Sequence, residues 1–143
     1  MIRAVLDTNV LASGTARANP TSAPVRLIDR WLLGKYEVAL SQHILNELTR
    51  TFARPYFVQR VGATRAAEML ALLRHRALWV HELPSIEGVA THPEDDLILA
   101  TAVCAGADCL VTGDTQLQRL GRYAGIAILG SAAFLALLDA SPA

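Results

Sequence analysis

The chain has 143 residues, 52% hydrophobic and 18% charged, and its 13 basic and 13 acidic side chains cancel to a net charge of zero. That length suits a single domain over residues 1–143 with a sizeable buried core, and the composition excludes a disordered chain. The neutral balance does not announce nucleic acid, so any such affinity must come from the distribution of charge.

In chain order, strands and helices alternate. Residues 2–6 form a short apolar run rich in β-formers and read as a buried strand. The stretch Ala4-Val5-Leu6 stops at Asp7, too soon for a secretory signal. No apolar run approaches the ~20 residues of a membrane span, so a cytoplasmic protein that engages no membrane is expected. A polar loop follows through Ala18-Asn19-Pro20-Thr21-Ser22. Pro24 opens a helix with Val25, Leu27, Ile28, Trp31 and Leu32 on its apolar side and Gly34 at its end. Residues 37–40 read as a second strand. Ser41 is placed to cap a helix through Leu45, Leu48 and Phe52, which Arg54-Pro55 interrupts.

A further helix is predicted from about Thr64 to Arg76, then a third strand over 77–81 and a polar, breaker-rich loop over 84–93. The next helix starts near Glu94 and ends at Gly106. Residues 109–112 read as a fourth strand, 115–120 as a short helix and 126–129 as a fifth strand, before a last apolar helix capped by Ser131. Strands separated by helices imply right-handed crossovers: a three-layer α/β/α fold around a parallel sheet of about five strands. In such sheets the functional crevice lies at the carboxyl ends of the strands.

The acids fall where that rule wants them. Asp7 follows the first strand, and Asp114 follows the fourth. Asp95 and Asp96 begin the helix leading into the fourth strand, and Glu47 lies one to two turns into the helix after the second. Clustered carboxylates repel one another unless a cation sits among them. An all-oxygen set without neighbouring Cys or His favours Mg²⁺ or Mn²⁺ over Zn²⁺. Such an ion binds phosphate and activates a water for attack on phosphorus. Each acid also has a plainer role: Asp7 as a turn cap, Glu47 as a solvated helix residue, Asp95 and Asp96 as partners of a helix dipole, Asp114 as an N-cap. Only their joint placement carries the metal reading.

Other chemistries are poorly served. There is no Gly-rich phosphate loop and no Gly-x-Ser-x-Gly elbow. His43, His75, His81 and His92 are scattered. Cys104 and Cys109 lack metal-type spacing and read as small apolar side chains. Val5-Leu6-Asp7-Thr8-Asn9 is like the start of aspartate-nucleophile phosphatases, but Asn9 stands where their second Asp belongs. Residues 50–76 hold Arg50, Arg54, Arg60, Arg65, Arg74 and Arg76 against one acid, Glu68. This reads as a phosphate-binding edge or, equally, as a solvated helical face.

Four segments in order carry a resemblance that covers nearly the whole chain. They are Val5-Leu6-Asp7-Thr8-Asn9-Val10-Leu11; Ser41 to Leu48 with Arg54-Pro55; His92-Pro93-Glu94-Asp95-Asp96 with Ala105-Gly106-Ala107-Asp108; and Leu110-Val111-Thr112-Gly113-Asp114. Together they resemble the PIN-domain family, and within it the VapC-type toxins of toxin–antitoxin pairs. The resemblance implies an endoribonuclease that cleaves single-stranded RNA with Mg²⁺ or Mn²⁺, paired with a cognate antitoxin. Asp7, Glu47, Asp95 and Asp114 carry over as metal ligands or their supports, with Asp96 sharing the role of Asp95. Thr8, Asn9 and Thr112 carry over as residues that steady the site by hydrogen bonding. Arg50, Arg54, Arg74 and Arg76 are the expected RNA contacts, and a homodimer is compatible with the resemblance. One departure is Gln116, where this group often has a further acid. Two alternatives stand beside this reading: an RNA- or partner-binding PIN domain without turnover, and a small-molecule phosphohydrolase.

Overall fold

The strand segments are short and almost wholly apolar, as burial on both faces requires. The computed structural model describes residues 1–141. Its strands are β1 (Arg3–Leu6), β2 (Glu37–Leu40), β3 (Leu78–Trp79), β4 (Cys109–Val111), β5 (Arg122–Tyr123) and β6 (Ile126–Leu129). They form one sheet in the order β3-β2-β1-β4-β6-β5. All pairings are parallel except that of β5 with β6. The helices are α1 (Thr8–Ala16), α2 (Ala23–Leu32), α3 (Gln42–Phe52), α4 (Pro55–Arg60), α5 (Gly62–Arg76), α6 (Pro93–Ala105), α7 (Thr115–Arg119) and α8 (Ser131–Ala140). None is long and apolar enough to cross a membrane.

The chain steps outward from β1 to β2 to β3, then returns past β1 to β4 and moves outward the other way. Right-handed crossovers therefore put the helices preceding β3 on one face and α6 on the other. In agreement, α6 packs across β1, β2 and β4, while α8 returns beside α2. The direction reverses between β1 and β4, so the carboxyl ends of those two strands are the switch point of the sheet.

The core runs through the sheet. Val5, Leu6, Leu40, Leu110 and Val111 are buried to within 1% of completely, each contributing about 1.5–3 kcal/mol of transfer energy. Tyr36 and Phe134 meet edge to face with centroids 5.3 Å apart. The Tyr36 hydroxyl donates to the carbonyl of Leu27 at 2.8 Å, and burial pushes its phenol pKa up.

Two elements differ from the sequence reading. Residues 8–16, expected as loop, form α1. Asp7 caps it by accepting from the Val10 amide at 2.9 Å. Seven of its nine residues are buried, so no one-sided apolar period announces it. Gly14 lets it cross α2 closely: a Cβ there would stand 2.5 Å from Ile28 Cγ1 and 2.7 Å from the carbonyl oxygen of Pro24. The second difference is β5, a sixth strand made by a tight reversal in which Ala124 and Gly125 have φ of 50° and 82°. Two positive φ values are what a twisted two-residue hairpin needs. Smaller shifts also occur. The third strand contracts to Leu78–Trp79, α5 begins at Gly62, and Pro55 starts α4 where it breaks the preceding helix.

Candidate active site

Asp7 lies directly after β1, and its amide still donates to the Val111 carbonyl at 2.9 Å, so the ladder with β4 runs one step further. Thr112 is thereby brought beside Asp7. Its buried hydroxyl donates to Asp7 Oδ2 and accepts from the Asp114 amide at 3.0 Å. One threonine thus ties both aspartates to the strand ends. Asp114 Oδ1 accepts from the amides of Gln116 at 2.8 Å and Leu117 at 3.2 Å, capping α7.

From α3, Glu47 reaches the same region. Its Oε2 accepts from the Thr8 hydroxyl at 3.1 Å, and its Oε1 stands 3.4 Å from His43 Nε2. Glu94 and Asp95 come from the first turn of α6, where the helix dipole favours negative charge. The result is a cleft of about 650 Å³ lined by Asp7, Thr8, Asn9, Glu47, Arg50, Arg54, Glu94, Asp95, Gly113 and Asp114, among others.

Burial and mutual repulsion strain these acids. Burial raises the Asp7 carboxyl above its ordinary pKa, and the charge of Asp114 adds to this; the Thr112 hydroxyl and the amides of Val10 and Gly113 offset part. Burial likewise raises Glu47, which Glu94 raises further and His43 and Thr8 lower. Asp95 is raised by burial, then by Asp114, Asp7 and Glu94, against a lowering from His92. Uncompensated carboxylates of this kind are a donor set for a hard cation. Among the described residues, no three acid, His or Cys side chains stand close enough to hold a metal ion by themselves. The arrangement suits an ion that takes one or two carboxylates and fills its remaining positions with water and substrate phosphate, the usual mode of Mg²⁺.

Of the residues singled out from sequence, Asp7, Thr8, Asn9, Glu47, Arg50, Arg54, Asp95 and Asp114 line the cleft, and Thr112 supports it from behind. The structure does not bring in three others. Asp96 is buried and turned away: its oxygens accept from the amides of Gly88 at 3.1 Å and Ala90 at 2.7 Å, pinning the loop before α6. Its neighbour Asp95 points elsewhere because successive helical residues are turned about 100° apart. Arg76 donates to the carbonyls of Trp31 and Leu32 at 3.3 and 3.4 Å and lies over the Trp31 ring at 5.2 Å, so it serves the end of α2. Arg74 lies next to it in the last turn of α5 and lines no part of the cleft. Sequence reasoning missed Glu94 and His43. The His43–Glu47 spacing of four was a usable signal; Glu94 had none beyond its place beside Asp95.

A PIN domain family model matches residues 3–116. No curated protein matches the chain. VapBC2 from Rickettsia felis, solved bound to a DNA fragment from its promoter, is similar in structure with a TM-score of 0.59 and 15% identity, over 90% of this chain and 98% of that one. FitAcB from Neisseria gonorrhoeae gives 0.59 and 20% identity, again over 90% and 98%. PAE2754 from Pyrobaculum aerophilum gives 0.54 and 15%, over 98% and 91%. At these identities the likeness is one of fold.

Proposed function

The chain belongs to the PIN domain family, and on that premise we propose that it is a metal-dependent endoribonuclease of single-stranded RNA, the toxin of a toxin–antitoxin pair. One observation carries this reading. Acids from four separate stretches of chain, after β1, within α3, at the start of α6 and after β4, meet in one cleft at the switch point of the sheet.

One or two of Asp7, Asp95, Asp114 and Glu47, all of which line the cleft, would hold Mg²⁺ or Mn²⁺ directly, and water and substrate phosphate would fill its remaining positions. Such an ion, when bound, lowers the pKa of a coordinated water and offsets charge on the phosphate. The rest falls to the chain. Thr112 holds Asp7 and Asp114 at fixed separation, and Thr8 holds the Glu47 carboxylate toward the cleft. Asn9, exposed at the rim, offers an amide to the substrate. Arg50 and Arg54, on the α3 side, contact backbone phosphates flanking the one that is cut, because guanidinium groups match phosphate geometry. Arg74 and Arg76 take no part.

The VapBC and FitAcB complexes among the similar structures support a cognate antitoxin as partner. A cytoplasmic location follows from that pairing, and self-association into a homodimer is compatible with it. Purified protein should cleave single-stranded RNA in Mn²⁺ or Mg²⁺ and stop in EDTA. RNA binding without cleavage in either metal would replace this reading with that of a binding module. Hydrolysis of a simple phosphate ester with RNA left intact would replace it with a small-molecule phosphohydrolase.

A further inference from the structure

A second, smaller cavity of about 120 Å³ adjoins the cleft, and Asp95 and Asp114 belong to the walls of both. Its other walls are Val89, Ala90 and Thr91 from the loop before α6, Gln116 and Leu117 of α7, and Leu120 just after it. The loop wall is held in place, since Asp96 accepts from the amides of Gly88 and Ala90. The amides of Gln116 and Leu117 are already taken by Asp114 Oδ1, so neither is free for an anion. No Lys or Arg lines the recess, which makes it a poor phosphate site. Besides the two carboxylates it shares with the cleft, it offers apolar sides, the Thr91 hydroxyl and one side-chain amide. Gln116 is exposed, and its side chain makes no hydrogen bond among the described residues.

We infer that this recess is a base subsite: it takes one nucleobase of the RNA strand whose phosphate lies over Asp95 and Asp114, and Gln116 reads that base's edge. The inference rests on the RNA reading of the cleft. The recess has room for a planar ring but not for a whole nucleotide, while the larger cleft beside it has room for sugar and phosphate. Because Asp95 and Asp114 line both, the two cavities adjoin. Single-stranded RNA is recognised by splayed bases held between side chains and hydrogen-bonded at their edges. A glutamine amide supplies one donor and one acceptor side by side. It does so without the negative charge that an acid at position 116 would set against the phosphate.

The test compares the intact chain with Gln116→Ala and Leu120→Trp, the first removing the amide and the second filling the recess. Binding of eight-nucleotide homopolymers of A, C, G and U is measured with Ca²⁺ in place of Mn²⁺, so that the cleft's acids stay compensated, with gels to confirm that the RNA is intact and melting curves to confirm folding. The unaltered protein should favour one homopolymer by roughly fivefold or more, the low end for one paired base edge. Both variants should bring that ratio toward one. Equal binding of all four by the unaltered protein, or a ratio that survives in both variants, overturns the inference. A parallel digestion of random-sequence RNA in Mn²⁺ separates the two readings. A base preference that disappears in the variants, without cleavage by any of them, keeps the subsite and removes the nuclease. Cleavage without any base preference does the reverse.

Discussion

Away from the cleft, three acids are each met by an arginine; inside the cleft, acids face one another. Arg3 pairs with Glu37 at 2.9 Å, Arg17 with Asp29 at 2.8 Å and Arg30 with Asp139 at 3.1 Å. The Asp108 carboxylate accepts from the Arg3 amide at 2.9 Å. In the cleft, five acids share one space. Among the described residues their one contact at salt-bridge distance is that of Glu47 with His43 at 3.4 Å, an ion pair only when the imidazole is protonated, and Arg50 and Arg54 line the same walls without closing on a carboxylate. A net charge of zero therefore hides an uneven distribution. Clustered, partly buried charge of one sign costs stability, and a fold that tolerates such a cluster marks that place as a candidate for a ligand of opposite charge.

The largest expected effect comes from removing one of these acids. Loss of a ligand's supporting partner typically costs 10–100-fold, so Asp7→Asn should lower RNA cleavage by more than about a hundredfold. Stability should move the other way. Folding raises the pKa of Asp7, so its favourable contribution is complete only below the unfolded value and is lost as pH rises through the folded one. At neutral pH without metal, the ionised group is a cost. Asp7→Asn should therefore melt higher than the parent in EDTA at about pH 7, with the advantage vanishing below about pH 4. Melting curves across that range check the sign; a variant that melts lower at neutral pH would show that the hydrogen bonds the carboxylate accepts outweigh the cost of burying its charge.

Packing next to the site should respond on a smaller scale. Gly14→Ala would press a methyl group against the Pro24 carbonyl and Ile28, costing about 1–3 kcal/mol as overpacking does. Denaturant titration measures this, and no loss would mean that the α1–α2 crossing is looser than described. The adjacent aspartates should separate cleanly. Asp96→Asn gives up one acceptor from two loop amides and should cost about 1–3 kcal/mol of stability, with most cleavage retained by the folded fraction. Asp95→Asn should spare stability and lose cleavage. Equal losses of cleavage at both positions would contradict the geometry.

Much of this was legible in the sequence, for physical reasons that differ by element. The runs within β1, β2 and β4 are apolar without interruption, which marks buried parallel strands, and the rule about carboxyl ends then located Asp7 and Asp114. The helix α1 was not legible, because burial on nearly every side erases the periodicity that reveals helices, and Ser13, Gly14 and Thr15 have weak helical propensity. Strand β5 is two residues long and exists only by pairing with β6. The role of Asp96 depends on where an irregular loop places the amides of Gly88 and Ala90, which no local pattern encodes. The basic stretch misled in a similar way. Charge counting treats residues 50–76 as one patch, but α3, α4 and α5 direct its arginines to different sides of the molecule.

That division gives the smallest and most discriminating prediction. Arg50 and Arg54 line the cleft. Arg60 stacks on Tyr56 at 3.7 Å, and Arg65 donates to the Thr15 carbonyl at 3.4 Å. Arg76 is spent on the end of α2. A guanidinium that touches RNA phosphate displaces a counterion, and each such contact contributes about 0.7 to the slope of log affinity against log salt for a single strand. Replacing Arg50 and Arg54 together with Gln should therefore weaken RNA binding and flatten the slope by about 1.4, twice the single contribution. Replacing Arg74 and Arg76 should leave both affinity and slope unchanged. Its cost should instead be up to about 1 kcal/mol of stability, from lost contact with the last carbonyls of α2. Measuring affinity at several salt concentrations for the two double variants decides the matter. A flattened slope in the Arg74 and Arg76 variant would mean that RNA wraps far beyond the cleft. An unchanged slope in the Arg50 and Arg54 variant would mean that those arginines balance the acids across the cleft and leave the phosphates to other groups.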